Sequence, residues 1–309
     1  MTEPTQPWRS TRRMISVLAG AVFVTAAAIG CANPNGPGGP SAAASSAPAS
    51  SKTSPAPSST RMISNNGHNL AFHVTPGHLP AIVFDAGGGQ DSSEWAGLVP
   101  GVAAATGSMI ITYDRAGLGA SDEVPGPWKV ADAVADLDAG LRQLGLTRDV
   151  IFVAHSEAGE IATNFVHDHP GVVAGAVLVD ANLPGFFTDD QIARIEAAEQ
   201  PQIQALEQQP STRQTRQLLA VAADYGPAHR AYHQLTWPPT VPIDVIVSAK
   251  TPFESSESDA HHWRDAQAAF AAAASNRRLL VAQGSSHDVP ADRPDIVAQE
   301  VEDIVARTR

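Results

Sequence analysis

The chain of 309 residues has a single cysteine, Cys31, so no disulfide can close within it and a CxxC metal or redox site is excluded. Positive charge is also scarce, with 20 Lys and Arg against 32 Asp and Glu and a formal net charge of −12. Residues 1–30 carry Arg9, Arg12 and Arg13 against Glu3, a net +2, so the remainder holds −14. Charge of that sign repels nucleic acid and anionic lipid and argues against a phosphate-tracking function. Its simplest role is solubility. A membrane-length apolar run is missing too. The uncharged stretch Met14 to Ile29 is short for a span, which needs about 20 residues.

What the N-terminus does contain is an address. Three arginines, an apolar stretch and small residues before a cut site make a secretory signal over residues 1–30. The stretch ends Ala28-Ile29-Gly30-Cys31, which resembles the bacterial lipoprotein signal, in which the cysteine is lipidated and becomes the mature N-terminus. The alternative is an ordinary cleaved signal with Cys31 nearby. Thr11-Arg12-Arg13-Met14-Ile15 also resembles, weakly, a twin-arginine export signal. Within the segment 31–60, Ala32 to Thr60 is mostly Pro, Gly, Ser and Ala with one charge, Lys52, and buries too little apolar area to offset the entropy of ordering. It reads as a flexible tether holding a domain, residues 61–309, clear of a membrane.

From residue 61 short apolar runs alternate with helical periodicity. Strands are expected at Asn69–Val74, Ala81–Phe84, Met109–Tyr113, Val150–Ala154, Ala174–Val179, Ile243–Ser248 and Arg278–Ala282. Helices are expected at Val130–Leu144, Glu157–His169, Asp259–Ala274 and Pro294–Ala306. That alternation implies an α/β fold with a mostly parallel sheet covered on both faces, its chemistry in loops at the carboxyl ends of strands. Between Leu183 and Pro242 the alternation stops. This polar, Gln- and Glu-rich stretch is too long for a connection and reads as a helical cap, 184–240, inserted after the sixth strand.

Val150-Ile151-Phe152-Val153-Ala154-His155-Ser156-Glu157-Ala158-Gly159 reads as strand, sharp turn and helix start with serine at the turn. It resembles the nucleophile elbow of the α/β-hydrolase family, usually G-x-S-x-G, in which the residues two before and two after the serine approach closely and must be small. Here they are Ala154 and Ala158, a departure within the methyl limit. Taken alone, Ser156 could instead be a helix-capping serine. Ile82 to Gln90, ending Asp85-Ala86-Gly87-Gly88-Gly89-Gln90, resembles the family's oxyanion loop, with Asp85-Ala86 in place of His-Gly; the bland alternative is a glycine turn. Tyr113 to Asp122 resembles the stretch after the fourth strand, which shapes the loop beside the site. Gln283-Gly284-Ser285-Ser286-His287-Asp288 resembles the loop that carries the catalytic histidine. The other histidines lack that context: His155 sits where the family tolerates many residues, and His261-His262 read as capping or solvent-facing.

The resemblance covers about residues 65 to 305, apart from the cap, and implies a serine hydrolase cleaving a carboxylic ester or related acyl bond through an acyl-enzyme. It assigns Ser156 as nucleophile, His287 as base, and the amides of Gly87 and Glu157 as oxyanion donors. The Glu157 carboxylate has no evident role. For the triad acid, Asp180 closes the run Val177-Leu178-Val179, while the more usual position after the seventh strand reads Ser248-Ala249-Lys250-Thr251-Pro252-Phe253-Glu254. Asp180 is the first candidate and Glu254 the alternative. No metal or cofactor is needed, and a serine at the elbow argues against dehalogenase or epoxide-hydrolase chemistry. The expected partner is a small acyl substrate, with membrane contact only through the lipid anchor and a monomeric state. The rival reading is a non-catalytic ligand-binding lipoprotein on the same scaffold.

Overall fold

The computed structural model describes residues 58–309. The signal at 1–30, Cys31 and the tether as far as residue 57 lie outside the described residues. The first strand, β1 (Ser59–Asn65), begins within the segment assigned to the tether. It is an edge strand with only Ile63 buried, so it carries no alternating apolar signal by which it could be read.

β1 pairs antiparallel with β2 (His68–Thr75), and β2 antiparallel with β4 (Ser108–Tyr113). The remaining strands are parallel: β3 (His78–Asp85), β4, β5 (Val150–His155), β6 (Val173–Val179), β7 (Ile243–Ser248) and β8 (Arg277–Ala282). The spatial order is β1-β2-β4-β3-β5-β6-β7-β8, which puts β5 near the middle. Along β5 the buried side chains divide by parity. Val150, Phe152 and Ala154 join one apolar cluster and Ile151 and Val153 the other. A strand buried on both faces cannot alternate polar with apolar, which is why it reads as a continuous run.

The helices that cover those faces are α1 (Val99–Thr106), α2 (Val130–Gln143), α3 (Ala158–Asp168), α7 (Glu257–Ala272) and, after the one-turn α8 (Val289–Asp292), α9 (Pro294–Thr308). On one face α2 supplies Val134, Leu137 and Leu141, and α3 supplies Ile161 and Phe165. On the other, α1 gives Val102 and α9 gives Val297, Val301 and Ile304. Helix α1 went unread because Pro100 and Gly101 in its first turn read as a loop and its apolar face is weak.

Between β6 and β7 the chain leaves the sheet as a helical cap. A single 3-10 turn at Pro184–Phe186 leads into α4 (Asp189–Glu207), α5 (Arg213–Ala222) and α6 (Tyr225–Tyr232). An aromatic cluster of Phe186, Phe187, Tyr225, Tyr232, Phe253 and Trp263 links it to α7. Polar bonds fix its place. Tyr232 Oη donates to Asn182 O at 2.8 Å, Trp237 Nε1 donates to Thr163 Oγ1 at 2.7 Å, and Arg213 donates to the carbonyls of Gly117 and Ser121 in the loop after β4. No helix among the described residues is long and apolar enough to cross a membrane.

Candidate active site

β5 ends in a turn whose apex is Ser156, at φ 53°. A serine in that region is strained, and the turn holds because both flanks are fixed. Ser156 N donates to Val179 O at 3.2 Å, and Ser156 O accepts from Asn182 N at 2.8 Å, so the elbow is tied to the end of β6 on both sides. The small residues follow from that closeness. A Cβ on Gly159 would lie 2.4 Å from the carbonyl oxygen of Asn182.

His287, in the loop after β8, places Nε2 2.9 Å from Ser156 Oγ and Nδ1 2.6 Å from Asp180 Oδ2. Asp180 stands at the end of β6 at φ 39° and has no solvent exposure. Its Oδ1 accepts from Ser248 N at 3.0 Å and from Trp263 Nε1 at 2.8 Å, and its Oδ2 also accepts from Ser248 Oγ at 2.6 Å. Burial alone would raise the pKa of such a carboxyl. The bonds from His287, Ser248 and Trp263 outweigh burial and hold it below the usual carboxylate range. Glu254 is exposed and is not among the hydrogen-bond partners of His287. Ser248 and Trp263, which hold the carboxylate, carry no motif and went unread.

The structure overturns Gly87 as an oxyanion donor. Its N–H donates to Glu94 Oε2 at 3.0 Å, and a carboxylate seated there would repel an oxyanion rather than welcome one. Glycine is needed at this position for a different reason, since a Cβ would lie 2.9 Å from His155 Nδ1. The next N–H, that of Gly88, has no protein acceptor among the described residues, and Gly88 lines the cavity beside the elbow together with Glu157. The Glu157 N–H, at the start of α3, likewise meets no protein acceptor there.

Glu94 was not singled out and His155 was set aside as a position where many residues are tolerated, yet they brace the site. His155 Nδ1 lies 2.7 Å from Glu94 Oε1, and Nε2 lies 3.0 Å from the backbone oxygen of His287. Both partners are acceptors, so the ring satisfies both only as imidazolium. Burial disfavours that charge, but Glu94 and the His287 carbonyl prevail and lift the pKa to about 9. One carboxylate, Glu94, therefore ties the Gly87 loop to the backbone of His287.

Arg115 resolves the Glu157 side chain. It is buried and lies 3.3 Å from Glu157 Oε1 and 3.5 Å from Asp85 Oδ1, while its Nη2 donates to Gly87 O at 2.6 Å. Glu157 thus faces a guanidinium. Burial raises its pKa and Arg115 opposes the rise. Asp85 accepts from Tyr113 Oη at 2.8 Å and, with burial outweighing Arg115 and Tyr113, titrates at about 6. In the β4 loop, Asp114 accepts from Ser92 N and Ala120 N, and Gly119 is required because a Cβ there would strike the Asp114 carboxylate at 2.2 Å. That is the structural role its sequence implied.

His229 and His233 stand one helical turn apart, a metal-ligand spacing, but both are engaged. His229 contacts Glu160 Oε1 at 2.8 Å and Tyr225 O at 2.7 Å, and His233 Nδ1 contacts Pro184 O at 2.8 Å. His261 and His262 are exposed on α7.

A mostly parallel sheet with a serine elbow after its fifth strand, a histidine after its eighth and a cap after its sixth defines the α/β hydrolases. The chain belongs to the alpha/beta hydrolase family, whose model matches residues 82–300. Among solved structures it is similar to an esterase from Thermogutta terrifontis, at 19% identity and TM-score 0.58 over 81% of this chain and 99% of that one. It is similar also to an esterase from Exiguobacterium antarcticum, at 17% identity and TM-score 0.55 over 79% and 98%. A haloalkane dehalogenase from Bradyrhizobium elkani matches at 18% identity and TM-score 0.60 over 82% and 99%. Identities this low establish the shared fold alone. No curated protein sequence is significantly similar to the chain.

Proposed function

We propose that this protein is a serine hydrolase that cleaves a small carboxylic ester through Ser156, His287 and Asp180. The observation that carries the proposal is the unbroken chain of contacts, Ser156 Oγ to His287 Nε2 at 2.9 Å and His287 Nδ1 to Asp180 Oδ2 at 2.6 Å. Nucleophile, base and orienting acid are within hydrogen-bond reach in the order that acyl transfer needs.

In this reading Ser156 Oγ attacks the ester carbonyl carbon while His287 Nε2 takes its proton. The carbonyl oxygen becomes an oxyanion that accepts from the N–H of Glu157 and of Gly88, with the positive end of α3 adding to the field. The tetrahedral intermediate expels the alcohol, which receives the proton from His287. Water then attacks the acyl-enzyme, giving its proton to the same nitrogen, and the acid leaves as Ser156 recovers its hydrogen. Asp180 stays ionised throughout and stabilises the imidazolium. The serine nucleophile favours ester over haloalkane or epoxide substrates, and the two esterases of the same fold favour it too. Export and anchoring through a lipidated Cys31, with the folded part monomeric, complete the proposal and rest on the sequence of residues 1–60.

A fluorophosphonate probe applied to the full chain, with the adduct mapped by mass spectrometry, tests the reading. Rapid labelling at Ser156, lost in Ser156→Ala, is the expected result. A folded protein that takes no label would instead be a ligand-binding relative on this scaffold.

A further inference from the structure

Arg115 follows β4 and is 4% exposed. Two carboxylates surround it, yet neither is its best partner. A guanidinium that serves a carboxylate bonds it at about 2.7–2.9 Å, often through both oxygens. Here Glu157 Oε1 stands off at 3.3 Å and Asp85 Oδ1 at 3.5 Å. The short bond, 2.6 Å, runs from Nη2 to the neutral carbonyl of Gly87. That carbonyl already accepts from Gln90 N at 3.1 Å within its own turn, so it does not need Arg115 to be satisfied. The loop that carries Arg115 is itself fixed by the Asp114 carboxylate, which accepts from Ser92 N and Ala120 N. The guanidinium balances charge, but it is aimed at the Gly87 carbonyl.

The consequence lies on the other side of that peptide. The bond between Gly87 and Gly88 is trans, so its N–H points opposite to its C=O. Holding Gly87 O therefore fixes the direction of the Gly88 N–H. That N–H has no protein acceptor among the described residues, and Gly88 borders the cavity beside the elbow. A cationic donor on the carbonyl also polarises the peptide and strengthens its N–H as a donor. The same guanidinium faces the side chain of Glu157, whose N–H is the other donor in the hydrolase reading. One residue thus spans the oxyanion loop and the elbow. A lysine in its place would offer a single ammonium, without the planar fork that reaches several acceptors from one fixed centre.

We infer that Arg115 is a positioning residue for the oxyanion hole: it turns the Gly88 N–H toward the developing charge and sets its spacing from the Glu157 N–H. The inference rests on the hydrolase reading. Steady-state rates of the full chain on 4-nitrophenyl acetate and on its thiono analogue, with C=S in place of C=O, test it. Sulfur accepts hydrogen bonds weakly, so the oxygen-over-sulfur ratio of kcat/KM reports the donors. A loss of folded protein lowers both rates alike, and rates are taken per site titrated with the fluorophosphonate. Arg115→Lys should lower kcat/KM on the acetate by about 10²-fold and compress the ratio about tenfold. Should the lysine variant not fold, Arg115→Met combined with Asp85→Asn and Glu157→Gln removes the guanidinium and leaves none of its carboxylates charged, and the ratio should compress as far. Tyr113→Phe deletes a bond to Asp85 in the same cluster and does not touch Gly87, so it should leave the ratio within about twofold. A ratio unchanged in the Arg115 variants, or compressed as far by Tyr113→Phe, overturns the role while the hydrolase stands. A wild-type chain that neither labels at Ser156 nor turns over the acetate refutes the hydrolase, and the role falls with it.

Discussion

The floor of the site and the cap above it are built on opposite plans. In the floor each polar group of the triad is held by a neighbour: Asp180 accepts four bonds, His287 bridges it to Ser156, and His155 fixes the His287 backbone. The cap touches the floor through a few long-range polar contacts, chiefly the buried pair of Glu160 and His229, and leaves the Tyr225 hydroxyl without a partner. A saturated floor suits chemistry that must repeat without reorganisation. The cap is held instead mainly by its aromatic cluster, which tolerates a polar group left unpaired.

The largest effect expected from breaking the floor is at its acid. Asp180→Asn should lower kcat by about 10⁴-fold, because an amide cannot hold His287 in the tautomer that receives the serine proton. Glu254→Gln, at an exposed position off the histidine, should leave kcat within about twofold. Steady-state rates on 4-nitrophenyl acetate decide between them, and the reverse pattern would move the acid to the loop after β7.

Glu160→Gln probes the seam between the two regions. It leaves His229 buried opposite a neutral amide, and urea unfolding should register a loss of about 3 kcal/mol. An unmoved midpoint would mean that the aromatic cluster holds the cap without the ion pair.

The smallest effect is a matter of pH. His155 has a folded pKa of about 9, above the ordinary histidine value, so the folded state binds its proton more tightly than the unfolded state does. Its contribution is complete below about pH 6.5 and fades as pH rises toward about 9. His229, also raised by Glu160, acts in the same direction. Unfolding free energy followed by urea across that window should therefore fall as pH rises, and the slope should flatten in His155→Gln. A slope unchanged by the substitution would show that His155 is not the imidazolium its contacts require.

The sequence revealed the floor better than the cap because the floor's residues close continuous apolar runs. Ser156 follows Val150–His155 and Asp180 follows Val173–Val179, so strand ends point to both. His287 was legible from its loop. The donor at Gly87 was misread because nothing local reveals that Glu94, seven residues later, folds back onto its N–H. Glu157 stayed opaque for the same reason, since its partner Arg115 comes from another strand's loop. In the cap, helical character could be read from composition, but which residues meet at its seam is a matter of tertiary placement, and His229 and Glu160 share no sequence pattern.

The close approach of Gly87 to His155 has an evolutionary corollary. Position 87 can acquire a side chain only if position 155 gives up its ring, and a lineage that loses the ring frees Glu94 from its charged partner. Residues 87, 94 and 155 should therefore be inherited as a set, and relatives with a bulkier residue at 87 should carry a small one at 155 and no acid at 94.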